Sequence, residues 1–347
     1  PYYTPYLLRT HRLFSITCYS SIVRDTGKIA TSVSRRELEK SIKPSHNCRW
    51  SHNKDSNEWT GVFSKTIWKL RQEDNCLYYQ VKKTSSNKYE DLYKTMLANY
   101  FRLDMNLALY YKEWSEKDEL FKRACQQFYG IRMLCQEPVE NLFSFICSQN
   151  NHISRISSMV EKLCTHYGEE ICTIDGIKYY AFPEVERLSH PKIESELREL
   201  GFGYRAKFIQ KSASKIVEWG GADWFQSLQD MKYKDARQEL MKLHGIGPKV
   251  ADCICLMSLN HLSALPVDTH VYQIAAQNYL PHLRGKKNVT DKMYVEIGDH
   301  FRQLYGDMAG WAHTVSLQIS FKCKGNKIEF RDLNPDPSVL KTGTCFT

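Results

Sequence analysis

The sequence predicts an α+β fold, an N-terminal antiparallel β-sheet domain followed by a mostly α-helical body, and two observations carry the prediction. From Trp59 to Val81 the text WTGVFSKTIWKLRQEDNCLYYQV alternates apolar and polar residues, with polar breaks near Ser64 and at Glu73-Asp74-Asn75. That period of two with short turns is the mark of a half-buried meander. After the polar stretch TSSNKYED the period changes: NLFSFICSQ, SRISSMVEKLCTHYG, YRAKFIQKSASKIVEW, DARQELMKL, PKVADCICLMSL, DTHVYQIAAQNY and KMYVEIGDHFRQLYG all place apolar residues at helical spacing. Trp50, Trp59 and Trp68 recur every nine residues, a spacing that strands returning through hairpins explain without an internal repeat. The reading divides the chain into a basic tail over 1–34, a sheet-bearing domain over 35–135, a helical domain over 136–325 and a C-terminal tail over 326–347, with a groove between lobes as the natural substrate site.

Composition narrows the class. A hydrophobic share of 42% and a charged share of 25% fit a globular chain, and no run of eighteen apolar residues suggests a membrane span. The formal charge of +9 favours a polyanionic partner, because lysines and arginines that neutralise phosphates release condensed counterions; a merely basic enzyme fits the charge equally well. Twelve cysteines are scattered among apolar segments, Cys147, Cys164, Cys253 and Cys255 among them, so a reduced intracellular protein is expected rather than a disulfide framework. The first 24 residues hold three arginines and no acidic residue precedes Asp25, which suits a mitochondrial transit sequence as well as an ordinary basic tail.

The most informative stretch is DARQELMKLHGIGPKVADCICLM. Ala236, Leu240 and Leu243 line a helix that must end at Gly245, and Pro248 starts another, where its missing N–H costs nothing. Glycines in the turn allow close backbone approach to a ligand, and the N–H groups opening the second helix form an anion site. Two nearby glycines alone would equally make a plain helical turn. Lys249 raises the odds: it sits at the edge of a helix that is apolar from Val250 to Leu259 except for Asp252. Burial and the positive end of a helix dipole both disfavour an ammonium there, and a neutral, desolvated lysine amine is a Schiff-base former. Nineteen residues on, after Pro266-Val267, Asp268 reads as the N-cap of DTHVYQIAA. Capping is its commonplace role, but a carboxylate held ionised by backbone donors can also stabilise developing positive charge.

HGIGPKVADC followed by PVDTH resembles the helix-hairpin-helix DNA glycosylases that carry a Gly/Pro-rich loop and an aspartate. FRLDMNLALYYKEW, NLFSFICSQNNHISRISSMVEKLC, LGFGYRAKFI, VADCICLMSL and GWAHTVSL extend the likeness to the eukaryotic 8-oxoguanine DNA glycosylase family, from about residue 40 to residue 325. The resemblance implies a base flipped out of the duplex, attack of Lys249 on the sugar C1′, and strand cleavage by β-elimination, with Asp268 stabilising the oxocarbenium-like state. It implies that Asn150 fills the vacated space, that Arg155 and Arg205 read the orphaned cytosine, and that Tyr204 wedges the stack; by periodicity alone both arginines would be solvated helix residues. Gly245, Gly247, Val250 and His270 would meet phosphates. Cys253, Met257 and Pro266 would line the base pocket, although spacing alone makes Cys253 and Met257 core residues.

The sequence departs from the family pattern at three pocket positions. Ser45 stands in place of a glycine, His313 in place of a base-reading glutamine, and Leu317 in place of a stacking phenylalanine. Histidine loses the amide's paired donor and acceptor, and leucine offers no π face, so weaker or broader base selection is expected. Only Cys323 and Cys345 follow Cys255, too few for the iron–sulfur cluster of some relatives, and no cofactor is expected; the resemblance leaves room for a monovalent or divalent cation at the hairpin in a DNA complex. The expected partner is double-stranded DNA with oxidised guanine opposite cytosine, the expected protein a monomer without membrane association, located in the nucleus and also the mitochondrion. A catalytically inactive hairpin protein that only binds DNA and a related glycosylase of altered lesion preference are the competing readings, and the lysine–aspartate pair argues against the first.

Overall fold

A computed structural model describes residues 23–30, 41–42, 49–73, 76–83, 90–286 and 288–316. Five antiparallel strands, β1 (Val23–Ala30), β2 (Trp50–Asn53), β3 (Glu58–Phe63), β4 (Thr66–Glu73) and β5 (Cys76–Lys83), form one sheet in the order β1-β5-β4-β3-β2. The turn between β3 and β4 has Ser64 and Lys65 at φ 49° and 52°, the doubly left-handed backbone whose twist matches that of the strands it joins. β4 is buried on both faces. Trp68 and Leu70 join Phe63, Tyr93, Leu97 and Tyr100 in one cluster, while Ile67 meets Val62 and Ile174 on the other side. Phe63 stacks between Trp68 (4.6 Å) and Tyr100 (4.4 Å), so the helix α1 (Glu90–Tyr100) closes the sheet through aromatic contact.

The remaining helices are α2 (Leu107–Lys117), α3 (Glu119–Phe128), α4 (Pro138–Ser148), α5 (Ile153–Tyr167), α6 (Val185–Ser189), α7 (Ile193–Glu199), α8 (Arg205–Glu218), α9 (Ala222–Asp230), α10 (Tyr233–Met241), α11 (Pro248–Met257), α12 (Thr269–Ile274) and α13 (Asp291–Tyr305), and a last helix covers 309–316. Within this body α4 is buried from Asn141 to Cys147 and α11 from Val250 to Leu256. Both begin with proline and both are apolar on nearly every side, the pattern of helices surrounded by protein. Asn141 Nδ2 donates to Ser258 Oγ at 2.7 Å, fixing the end of one against the other.

Four features depart from the sequence reading. β1 lies inside the segment assigned to the basic tail; VRDTGKIA carries too few apolar residues to announce a strand, and it is held by backbone pairing with β5 from Val23↔Lys83 to Ala30↔Cys76. Within the domain expected to be wholly helical, β6 (Glu170–Ile174) and β7 (Ile177–Tyr180) form a hairpin, too short for a period to show. A boundary at 135 also separates α2 and α3 from their packing partners: Trp114 and Phe121 belong to the main helical core and meet Tyr305 edge-on at 6.4 and 6.0 Å. DTHVYQIAAQNY, read as one helix, is α12 followed by a π-helical turn over Ala275–Tyr279.

The helix over 309–316 packs against the chain that leads into PVD. Gly310 N donates to Leu262 O at 2.9 Å, and a Cβ at Gly310 would come within 2.0 Å of Ala264 O and 2.7 Å of Leu256 Cδ1. Gly310→Ala is expected to lower stability by about 1–3 kcal/mol, measured by urea unfolding; an unchanged midpoint would show that this contact is slack.

Candidate active site

The site grows from the turn between α10 and α11. Gly245 has φ +80°, and a Cβ there would fall 2.4 Å from Phe208 Cδ2, so both backbone and space demand glycine. Gln149 Nε2 donates to Gly245 O, and Ser212 Oγ donates to His244 O at 3.0 Å, bracing the turn from α4's end and from α8. A cation at this turn would have to use the remaining lone pairs or neighbouring carbonyls. Gly247 is the extended N-cap of α11, Pro248 occupies its first turn, and no side chain caps the helix. The N–H groups of Lys249 and Val250 have no intrahelical acceptor at that position, and they open a half-buried anion site with the positive helix end behind it.

Lys249 is half-buried. Its Nζ lies 5.1 Å from the centroid of the buried Phe145 ring, a cation–π distance for an ammonium and an apolar wall for an amine. Cys253 follows one turn along the same face of α11, and its thiol is pushed up to about 11, first by burial; the Lys249 charge opposes that rise, and the Asp252 and Asp268 carboxylates add to it. Asp268 is the N-cap of α12, and its Oδ1 accepts from His270 N at 2.8 Å and Val271 N at 2.9 Å. The lysine and the thiol therefore lie one turn apart on α11, and the carboxylate caps the helix that follows it. Two backbone donors on a single oxygen anchor the carboxylate against rotation.

Around them Met257 and Pro266 are half-buried, and Gln136 Nε2 lies 3.8 Å from Met257 Sδ. His313 is 2% exposed, packs edge-on against Phe301 at 4.6 Å, and its Nε2 has no hydrogen-bond partner among the described residues. A buried polar atom left without a partner is unusual and marks a place where a ligand can bond. Ser45 and Leu317 lie outside the described residues.

Asn150 and Tyr204 lie on two adjoining loops, 149–152 and 201–204, and Arg155 and Arg205 stand in the first turns of the helices α5 and α8 that follow them. Asn150 is exposed with φ +44°, and Tyr204 is 46% exposed. Tyr204 Oη donates to Gln149 O at 3.2 Å, and Arg155 Nη2 donates to Gly201 O at 3.2 Å. Arg205 is not a solvated residue. It is 3% exposed, its Nη2 donates to Gln149 O and to Asn150 O at 3.1 Å, and its guanidinium lies 4.6 Å from the Tyr204 ring centroid. In this structure Arg205 fastens the two loops, while Asn150, Tyr204 and Arg155 stand at the surface. Periodicity missed this because the arginine's acceptors are carbonyls some 55 positions away.

Sequence reasoning also passed over Asp252. It is fully buried on α11, with Tyr233 Oη donating to Oδ1 at 2.7 Å, Arg237 Nε 2.9 Å from Oδ1, and Tyr294 Oη donating to Oδ2. The one signal was an acidic residue in an otherwise apolar helix, which requires partners.

Comparison with known proteins agrees with this geometry. Residues 28–142 match the family model for the 8-oxoguanine DNA glycosylase N-terminal domain, and residues 143–296 match that for the HhH-GPD superfamily base excision DNA repair protein. The N-glycosylase/DNA lyase of Saccharomyces cerevisiae is 38% identical over 322 residues, 83% of this chain and 84% of that protein. The N-glycosylase/DNA lyase OGG1 of Arabidopsis thaliana is 38% identical over 262 residues, 74% of this chain and 70% of that protein. Among solved structures, the 8-oxoguanine glycosylase/lyase of Clostridium acetobutylicum, in complex with double-stranded DNA containing cytosine opposite 8-oxoguanine, superposes with a TM-score of 0.73 at 27% identity, covering 89% of this chain and 99% of that one. With the hairpin, the lysine and the capping aspartate in place, the chain belongs to the 8-oxoguanine DNA glycosylase family of helix-hairpin-helix base excision repair proteins.

Proposed function

We propose that this chain is a bifunctional DNA glycosylase and abasic-site lyase that removes 8-oxoguanine, and formamidopyrimidine with it, opposite cytosine in double-stranded DNA. The observation that carries the proposal is a half-buried lysine in the first turn of α11, directly behind the glycine turn and 5.1 Å from the buried Phe145 ring, followed by Asp268 anchored as the N-cap of α12. Lys249 Nζ, as a neutral amine, forms a bond to C1′ of the flipped nucleotide, and the C1′–N9 bond breaks with its electron pair leaving on the base, which takes up a proton. Asp268, fixed by two backbone donors, opposes the positive charge that gathers on C1′ and O4′ as the base departs. Opening of the sugar ring gives an iminium on Lys249; loss of a C2′ proton then expels the 3′ phosphate oxygen, and hydrolysis frees the enzyme.

The hairpin N–H groups and His270 suit phosphates of the damaged strand. Asn150 and Tyr204 stand where a side chain and a ring can occupy the gap left by an extruded base, and Arg155 is the exposed guanidinium available to the orphaned cytosine. Because the nucleophile is a side-chain amine, the scheme requires no resident cofactor. Nuclear and mitochondrial action is proposed on the strength of the DNA substrate and the basic, acid-poor N-terminal residues.

His313 shapes the lesion range. Burial pushes its imidazole down to about 4, against the opposing pull of Asp268 and Asp118. A neutral ring at pH 7 supplies one donor and one acceptor on opposite nitrogens, whereas an amide presents both side by side. Base selection is therefore proposed to be broader than an amide at this position would give, and the ratio of excision rates for 8-oxoguanine and formamidopyrimidine opposite cytosine tests it: a strict preference for 8-oxoguanine contradicts it.

The chemistry is tested by borohydride trapping on a duplex with 8-oxoguanine opposite cytosine. The parent is expected to form a covalent complex, Lys249→Gln none, and Asp268→Asn a complex at a rate on the order of 10²–10³-fold lower; trapping that persists in Lys249→Gln removes the Schiff base from the scheme. A pH measurement tests the buried imidazole. The folded state resists a proton that the unfolded chain accepts near pH 6.5, so the contribution is fully present above pH 6.5 and is lost as pH falls toward 4, by about 3 kcal/mol in all. Urea unfolding between pH 7 and pH 4 is expected to show an acid-side loss smaller by roughly this amount in His313→Gln; identical pH slopes would mean the ring titrates alike in both states.

A further inference from the structure

Asp252 lies one turn past Lys249 in sequence but is committed to other elements. It is fully buried on α11, and its partners come from α10 (Tyr233, Arg237) and α13 (Tyr294). The Tyr294 hydroxyl does two things at once. It donates to Asp252 Oδ2, and it accepts from the backbone N–H of Val267 at 3.2 Å. Val267 is 4% exposed and directly precedes Asp268. Arg237 Cζ also stands 5.3 Å from the Tyr294 ring centroid, so the ring is held by the same cation that pairs with the carboxylate.

We infer that Asp252, Tyr294 and the Val267 amide form a positioning relay that sets the Asp268 carboxylate against the Lys249 amine. Lys249 rides on α11, whereas Asp268 belongs to the loop that opens α12, and the cap bonds to His270 and Val271 fix the carboxylate only relative to α12. The relay ties the residue before Asp268 to the helix that bears the lysine, through a hydroxyl whose orientation is dictated by a carboxylate with no exposure to water. A hydroxyl that gives its proton to Asp252 has its lone pairs left for Val267 N–H, so the two bonds reinforce each other's direction. Tyr233 bonds the same carboxylate, but among the described residues no hydrogen bond joins it to Val267, which separates positioning from mere support of the buried charge.

The inference rests on the proposed function for its kinetic consequence but not for its mechanical one. Tyr294→Phe and Tyr233→Phe keep both rings and each remove one hydroxyl. In single-turnover excision of 8-oxoguanine opposite cytosine, normalised to the fraction that binds a duplex with a reduced abasic-site analogue, Tyr294→Phe is expected to slow the chemical step roughly ten- to a hundredfold. Tyr233→Phe is expected to stay within about twofold of the parent, and both variants to bind the analogue duplex as the parent does. Hydrogen exchange supplies a readout independent of activity: the Val267 amide is expected to exchange on the order of tenfold faster in Tyr294→Phe and at the parental rate in Tyr233→Phe. Equal slowing by both variants, or parental excision and parental Val267 exchange in Tyr294→Phe, overturns the relay. A parent that excises no base refutes the proposed function instead, and the exchange comparison then decides the relay alone.

Discussion

One apolar helix has to hold two charged groups, and the arrangement of the catalytic half of the molecule follows from how it does so. α11 is buried from Val250 to Leu256, yet it carries Lys249 at its first turn and Asp252 one turn later. A buried carboxylate without partners would cost several kcal/mol, so α10 and α13 are drawn in to supply two hydroxyls and a guanidinium. The lysine is treated in the opposite way. It sits against an aromatic ring and one turn from a thiol, and among the described residues no ion pair neutralises it. The contrast separates a charge that holds elements together from one kept available for reaction.

The parts of this site that repeat at short range were legible in the sequence. Gly245 to Lys249 declared a turn and a helix start because glycine and proline act on their own backbone, and Asp268 declared a cap because the N–H donors it accepts from are two and three residues on. The meander was legible for the same reason, alternation being local. What stayed hidden is non-local. Asp252 shows only as an exception in an apolar run, with partners 15, 19 and 42 positions away. Arg205 looked like a solvated helix residue because nothing in its neighbourhood hints at the carbonyls of Gln149 and Asn150. β1 and the β6–β7 hairpin escaped because pairing partners, rather than intrinsic pattern, make short polar segments into strands.

Arg205 changes the picture of the surface that would meet the duplex. A guanidinium spanning two carbonyls and lying against Tyr204 fixes the loops 149–152 and 201–204 before any ligand arrives. Exposed side chains on a braced backbone lose less conformational freedom on binding than the same side chains on free loops. Asn150 sits at positive φ, a backbone that asparagine tolerates better than most residues, and the carbonyl bonds from Arg205 hold it there. Burying the arginine thus gives rigidity to residues that must themselves stay exposed.

In the proposed scheme chemistry and lesion reading are carried by different elements, so that one can vary without the other. Lys249 and Asp268 depend on α11, α12 and the Asp252 hub, all enclosed by core packing. His313 stands on the helix over 309–316, whose approach to the 262–264 segment is limited by Gly310 and whose ring rests on Phe301. Within that scheme a side-chain change at 313 alters which hydrogen-bond donors and acceptors face a base, while the bonds that cap α12 and brace the turn at Gly245 are made by other residues. The reacting groups therefore keep their geometry while the pocket wall changes chemistry. In the proposed pocket the wall carries a buried imidazole whose Nε2 has no partner among the described residues, a group that can give or take a hydrogen bond.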